Sequence, residues 1–163
     1  MASKISSGYT GATYTIPTGM PIGRCVGRIN NFIVVGALTS NRQAVQWCDI
    51  GDPSTWSTPG TDAARAAQAG LQSHPPEYGP VTAIGSGDFF GYVFQERAIT
   101  KVQYVGGDVV FAFNTFEEDR GCVRAGRMEQ VDDKYFFESD RGFHMLEQDI
   151  ITDIGYGIVD DTY

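Results

Sequence analysis

The sequence predicts an all-β fold of propeller-like antiparallel blades, about three of them in an incomplete ring, with an extended N-terminal arm and one short inserted helix. Three observations carry that expectation. One pattern recurs along the chain: residues 32–38 lead through Asn41-Arg42 to residues 44–47, residues 89–94 through Glu96-Arg97 to residues 98–102, and residues 135–137 through Asp140-Arg141 to residues 142–146. Each unit is an apolar strand, a polar turn bearing Arg, and a second strand of alternating character. The Arg positions lie 55 and 44 residues apart, the spacing of four-stranded blades rather than of isolated hairpins. The 20 glycines and 7 prolines fall between the apolar runs, which suits many short strands joined by many turns.

Taken in order, residues 1–23 are rich in Ser, Thr, Gly and Tyr, with Pro17 and Pro21, and predict an extended arm that orders against a partner or the body of the domain. A propeller-like domain is expected over 24–163, with units at about 24–60, 80–118 and 121–155. In the first, residues 25–29 alternate, Asn30-Asn31 makes a tight turn and residues 32–38 form a buried strand. Residues 44–49 follow as a strand, ended by Gly51-Asp52-Pro53, and Trp56 is an apolar anchor after that turn. The Ala-rich stretch at about 62–72 predicts a helix capped by Thr61 or Asp62 and stopped by Pro75-Pro76. In the second unit Gly106-Gly107-Asp108 joins two long strands, and in the third Cys122 to Val131 leads to a turn at Asp132-Asp133. Natural propellers close with roughly four to eight blades. The missing blades are therefore expected from another chain or from a longer protein, because an open blade edge exposes unpaired backbone groups.

Composition excludes several function classes. The chain is 42% apolar and 20% charged, with a net charge of −8. An acidic surface does not hold phosphates, so DNA is expected only as a passing, non-specific neighbour. Three cysteines without CxxC spacing predict reduced thiols in or near the core. No apolar run is long enough to span a membrane, and no apolar segment of signal-peptide type follows Met1.

Catalytic chemistry finds little support. His74, before two prolines, is expected at the surface, and His144 within a strand. A Cys122–His144 pair is conceivable but has no local support. The acidic groups Asp49/Asp52, Glu117/Glu118/Asp119 and Asp132/Asp133 all fall at turns or strand ends, where solvated carboxylates favour the turn itself. No catalytic, cofactor-binding or metal-binding residue is expected. The structural and interface candidates are Arg42, Arg97 and Arg141, whose guanidinium groups can tie carbonyls or carboxylates together at blade turns, with Trp47 and Trp56. Tryptophans can also serve as stacking platforms for sugars, with Tyr78 as a third such aromatic.

The run Val45-Gln46-Trp47-Cys48-Asp49-Ile50-Gly51-Asp52-Pro53-Ser54-Thr55-Trp56 resembles a phrase of tail proteins from short-tailed bacteriophages. The stretch Phe94-Gln95-Glu96-Arg97-Ala98-Ile99 is similar to one of their strand pairs, and Tyr135-Phe136-Phe137-Glu138-Ser139-Asp140-Arg141-Gly142-Phe143 to another. The resemblance covers about residues 24–146. It implies a tail hub or nozzle: a non-enzymatic β-propeller platform in the virion, made in the host cytoplasm and released by lysis. Such a protein forms a homo-oligomeric ring, contacts other tail or connector proteins and lines the DNA exit channel. Family members commonly run to several hundred residues, against 163 here. A receptor- or carbohydrate-binding tail module is the alternative.

Overall fold

The structure, a computed structural model, describes residues 16–154. Most of the expected arm, residues 1–15, and the end of the expected domain, residues 155–163, lie outside the described residues. The expected all-β class holds. Three four-stranded antiparallel sheets follow one another, each a meander in sequence order, and they do not close into a barrel or ring. Unit 1 contains β1 (Cys25–Ile29), β2 (Phe32–Gly36), β3 (Ala44–Trp47) and β4 (Gly70–Ser73). Unit 2 contains β5 (Val81–Gly85), β6 (Phe90–Gln95), β7 (Ile99–Gly106) and β8 (Val110–Glu117). Unit 3 contains β9 (Met128–Val131), β10 (Lys134–Ser139), β11 (Gly142–Glu147) and β12 (Ile150–Ile154).

The helix expected at about 62–72 needs correction. The α-helix is only α1 (Asp62–Ala66), capped by the Thr61 hydroxyl, which accepts from the Ala64 N–H at 3.2 Å. Residues 70–73 are the fourth strand of unit 1, so that unit runs past residue 60 to Ser73. The Ala-rich sequence favours helix locally, but β3 offers a strand's worth of backbone partners, and tertiary pairing overrides propensity. Gly70 is opposite Trp47, and a Cβ there would lie 2.5 Å from the indole ring. In the third unit, where residues 122–131 are expected to lead to the Asp132-Asp133 turn, only Met128–Val131 is a strand and pairs with β10.

The sheets stack face to face, and period-two alternation shows how. On β6, Val93 belongs to the core shared with unit 1, which includes Ile29, Phe32, Val34, Val45 and Trp47. Tyr92 and Phe94, pointing the other way, belong to the core shared with unit 3, with Tyr135, Phe137 and Leu146. Tyr92, Val93 and Phe94 are each fully buried. Unit 2 is thus covered on both faces, and its strands read as continuous apolar runs for that reason.

The inner strand ends meet at Ser86-Gly87. From unit 1, the Arg28 N–H donates to the Ser86 hydroxyl at 3.0 Å, and Ile29 pairs with Gly87 in a short parallel bridge through the Asn30 N–H and the Arg28 carbonyl. From unit 3, the Gln130 side chain imitates a strand: its Oε1 accepts from the Ser86 N–H at 3.0 Å and its amide donates to the Ser86 carbonyl at 2.9 Å. The Tyr135 hydroxyl donates to that same carbonyl at 2.5 Å. One dipeptide therefore ties all three units together.

The connections between units are equally close. The Val81 N–H, at the start of unit 2, donates to the Arg42 carbonyl at 2.9 Å. The Cys122 N–H, leading into unit 3, donates to the Gln95 carbonyl at 3.0 Å. Gly121 makes the second approach possible, since a Cβ there would overlap the Gln95 carbonyl oxygen and lie 2.7 Å from the Arg97 and Ala98 nitrogens. All three neighbours are backbone and none can swing aside. Gly121→Ala is expected to cost about 3 kcal/mol or more of unfolding free energy, read as a lowered urea midpoint; an unchanged midpoint would show that the crossing is not a close one.

Candidate functional site

Arg42, Arg97 and Arg141 all sit in the turn between the second and third strands of their sheets. Their surroundings differ. The exposed Arg97 guanidinium donates to the Glu77 carbonyl and its backbone N–H to the Tyr78 carbonyl at 3.1 Å, fastening the segment that leads into unit 2. The Arg141 guanidinium lies 3.9 Å from the Asp119 carboxylate, a loose pair across the two unit ends. Arg42 works through its carbonyl, and no described residue engages its exposed guanidinium. Of the three guanidinium groups, that of Arg97 is hydrogen-bonded to a carbonyl, and that of Arg141 has only the loose contact with Asp119.

The tryptophans are not surface platforms. Trp47 and Trp56 are each 5% exposed. Trp47 donates its indole N–H to the Gln68 carbonyl at 2.9 Å and meets the edge of Phe111 at 5.1 Å. Trp56 donates to the Pro53 carbonyl at 3.0 Å, closing the turn it was expected to anchor. Buried aromatics with satisfied N–H groups are core residues. Tyr78 is half-buried beside Arg97.

Around the Arg141 turn the structure assembles a group that the sequence reading did not find. The Ser139 hydroxyl lies 2.6 Å from His144 Nε2, and His144 Nδ1 lies 2.7 Å from the Asp153 carboxylate. The three residues come from β10, β11 and β12, with His144 directly opposite Phe137 and Asp153. Ser, His and Asp in this order are the elements of an activated nucleophile. Two features show how it is held. The Ser139 oxygen already accepts from the Arg141 N–H at 2.9 Å, and both Ser139 and His144 are buried on the side facing unit 2. The hydroxyl is thus held between the imidazole and the Arg141 N–H, and Ser139, 5% exposed, lies at the edge of the cleft beside the Arg141 turn; a nucleophile needs a path for substrate. The signal available in sequence was the period-two spacing of Ser139 with Phe137 and of His144 with Leu146, but only register placed Asp153 beside the imidazole. Cys122 is not part of the group, since its thiol donates to the Arg124 carbonyl at 3.2 Å.

The remaining sequence candidates resolve into structural roles. Asp52 caps its own turn, accepting from the Ser54 N–H and hydroxyl and from the Thr55 hydroxyl, and these bonds hold its carboxyl below the usual range. Asp49 accepts from the Ser57 N–H and hydroxyl. Glu117 is clasped by Arg120 at 2.9 Å, and Arg120 also reaches Asp153 at 3.4 Å. Asp149, at the β11–β12 turn, accepts from the Tyr92 hydroxyl and from Lys101, both at 2.6 Å, and so pins unit 3 onto unit 2. Among the described residues no three potential ligands cluster as a metal site would require. Burial pushes the Cys25 thiol up to about 12 and raises those of Cys48 and Cys122 as well, which leaves all three poorly nucleophilic.

His74 departs from expectation. It is buried, not at the surface, and packs edge-on against Phe113 at 5.5 Å, with its Nε2 unpartnered among the described residues. The preceding strand β4 and the bond from its own N–H to the Gln43 carbonyl draw it inward. A cleft of about 560 Å³ borders the Arg141 turn, lined by Val123, Arg124, Arg127, Ser139, Arg141 and Phe143 among others. No protein-family model matches the chain, and no curated protein matches it.

Two measurements follow from this geometry. A fluorophosphonate probe is expected to leave Ser139 unlabelled in the folded protein, while Ser139→Ala lowers unfolding free energy by about 1–3 kcal/mol; stoichiometric labelling would restore the nucleophile reading. Burial lowers the His74 pKa from 6.5 to about 4. The folded state therefore disfavours the imidazolium, so the stability of the neutral form is present above pH 6.5 and is lost as pH falls toward 4. Between pH 7 and pH 5 the wild type should lose on the order of 2 kcal/mol more than His74→Leu does, by chemical denaturation at each pH; equal losses would place His74 in water.

Proposed function

We propose that the chain is a non-enzymatic structural component of a bacteriophage tail (a hub, nozzle or connector) that assembles into a propeller-like ring and supports the DNA exit channel. The observation that carries this reading is the repeated architecture: three four-stranded meanders stacked face to face, with an Arg-bearing turn at the same place in each. Stacked meanders of this kind are the building blocks of propellers. Among the described residues the far face of unit 3, with the half-buried Phe136 and Phe143, has no layer on it, which suits an assembly component.

Other features agree. The buried thiols are poorly nucleophilic, and the Ser139 hydroxyl at the edge of the Arg141 cleft is held by His144 and the Arg141 N–H. The net charge of −8 suits a wall past which a duplex moves without specific binding, since like charge prevents the phosphates from sticking. No helix among the described residues is long and apolar enough to cross a membrane. The receptor- or carbohydrate-binding alternative loses its main aromatic platforms, because Trp47 and Trp56 are inside.

Location in the particle tests the proposal. Mass spectrometry and electron microscopy of purified virions from lysates that contain this chain should place it in a ring on the tail axis. Virions free of the chain, or a chain found only in the soluble lysate, would overturn the assignment.

A further inference from the structure

Three arginines from distant parts of the chain meet at one cleft. Arg24 precedes β1, Arg42 lies in the turn between β2 and β3, and Arg124 belongs to the connection between units 2 and 3. All three are exposed, and all line a cleft of about 320 Å³ bordered by unit 1, unit 2 and that connection. Glu96 brings the one carboxylate among the lining residues. Gathering like charges costs free energy, and here it runs against the composition, since 20 acidic residues are present for 12 basic ones. Other arginines do find partners: Arg127 meets Glu138 at 2.9 Å, Arg120 meets Glu117 at 2.9 Å, and Arg28 is paired with Asp88. No described carboxylate is paired with Arg24, Arg42 or Arg124. The larger cleft at the Arg141 turn shares Val123 and Arg124, but its other arginines come with Glu138 and Asp140, so charge favours the smaller one.

The backbone beneath each guanidinium is fixed. The Arg24 N–H donates to the Gly36 carbonyl at 2.9 Å, and the Arg42 carbonyl accepts from the Val81 N–H at 2.9 Å. The Arg124 carbonyl accepts from the Arg127 N–H and from the Cys122 thiol, both at 3.2 Å. Donors carried on an ordered backbone lose less entropy when they bind. The rest of the lining is apolar (Ala37, Pro80, Val81, Val123 and Ala125) except for Thr82, whose hydroxyl donates to the Phe94 carbonyl at 3.3 Å.

We propose that this cleft binds a compact phosphate ester, its phosphate held by Arg24, Arg42 and Arg124 and its organic part against the apolar wall. This goes beyond the structural role proposed above and does not rest on it. Three planar forks match the charge and the several oxygens of a phosphate better than those of a single carboxylate. The volume lies within the range of small-molecule sites, about 300–1,000 Å³, and leaves room for more than an inorganic ion. A nucleic-acid backbone does not fit the charge. A duplex meets the net charge of −8 over a wide surface, whereas a ligand of cleft size sits within a Debye length, about 8 Å, of the three arginines. No aromatic side chain lines the cleft, so unpaired bases have no stacking platform there either. A bound phosphate ties unit 1 to the connection into unit 3 across the end of unit 2, so the ligand also stabilises the stack.

Titration calorimetry on the purified chain with phenyl phosphate as the probe tests this, with thermal unfolding read in parallel. Phenyl phosphate should bind at one site per chain, more tightly than inorganic phosphate, and should raise the melting temperature. Arg42→Ala and Arg124→Ala should each weaken binding about tenfold or more, and Arg42→Gln serves should Arg42→Ala not fold. Glu96→Gln should strengthen binding by removing the like charge, while Arg65→Ala on α1, which lines no part of the cleft, should leave it unchanged. Asp160→Asn combined with Asp161→Asn, at positions outside the described residues, should also leave it unchanged. Absence of binding, equal affinity for phenyl and inorganic phosphate, or an affinity indifferent to Arg42→Ala and Arg124→Ala would overturn the inference. So would tighter binding in the Asp160/Asp161 variant, which would make the chain's own carboxylates the occupant, or a DNA duplex bound as tightly per phosphate. A phosphate site in a chain that is absent from virions would leave the inference standing and remove only the phage assignment.

Discussion

Burial of both faces of unit 2 is the constraint from which the rest of the architecture follows. A sheet whose neighbouring residues Tyr92, Val93 and Phe94 are all fully enclosed must have a layer on either side. Unit 1 supplies one through Phe32, Val34 and Trp47, and unit 3 the other through Tyr135, Phe137 and Leu146. Aromatic edges fill the second layer: Tyr92 meets Tyr135 at 5.1 Å and Phe94 meets Phe137 at 5.3 Å, within the range where tilted and edge-on rings attract. Removing either neighbour would expose a row of large side chains to water, so the units are not independent folding pieces.

Polar contacts set the angle between these layers. Ser86 and Gly87 give their backbone groups to units 1 and 3 together, with Gln130 standing in for a strand. At the other rim, Asp149 holds Tyr92 and Lys101. Such bonds add modest net stability each, but they are directional where apolar packing is not. They fix one relative placement of the sheets out of many that would bury similar area.

The Ser-His-Asp arrangement likewise orders unit 3: its three members link the last three strands at the end that carries the Arg141 turn, with Ser139 and His144 buried and Asp153 exposed. Geometry that resembles an active site becomes catalytic only when the nucleophile is open to a substrate.

The sequence by itself determined the all-β class, the Asn30-Asn31 and Gly106-Gly107 turns, the place of each Arg turn and most of the strands, because period-two alternation and turn residues are local signals. It also indicated that the acidic pairs belong to turns. Tertiary structure alone decided that residues 70–73 are a strand rather than helix, since the partner strand β3 lies more than twenty residues upstream and supplies hydrogen bonds no local propensity reveals. It alone drew Trp47, Trp56 and His74 inside and brought Ser139, His144 and Asp153 together. Burial and register are properties of contacts between distant segments, and a single chain read in order carries the residue types for those contacts but not their pairing.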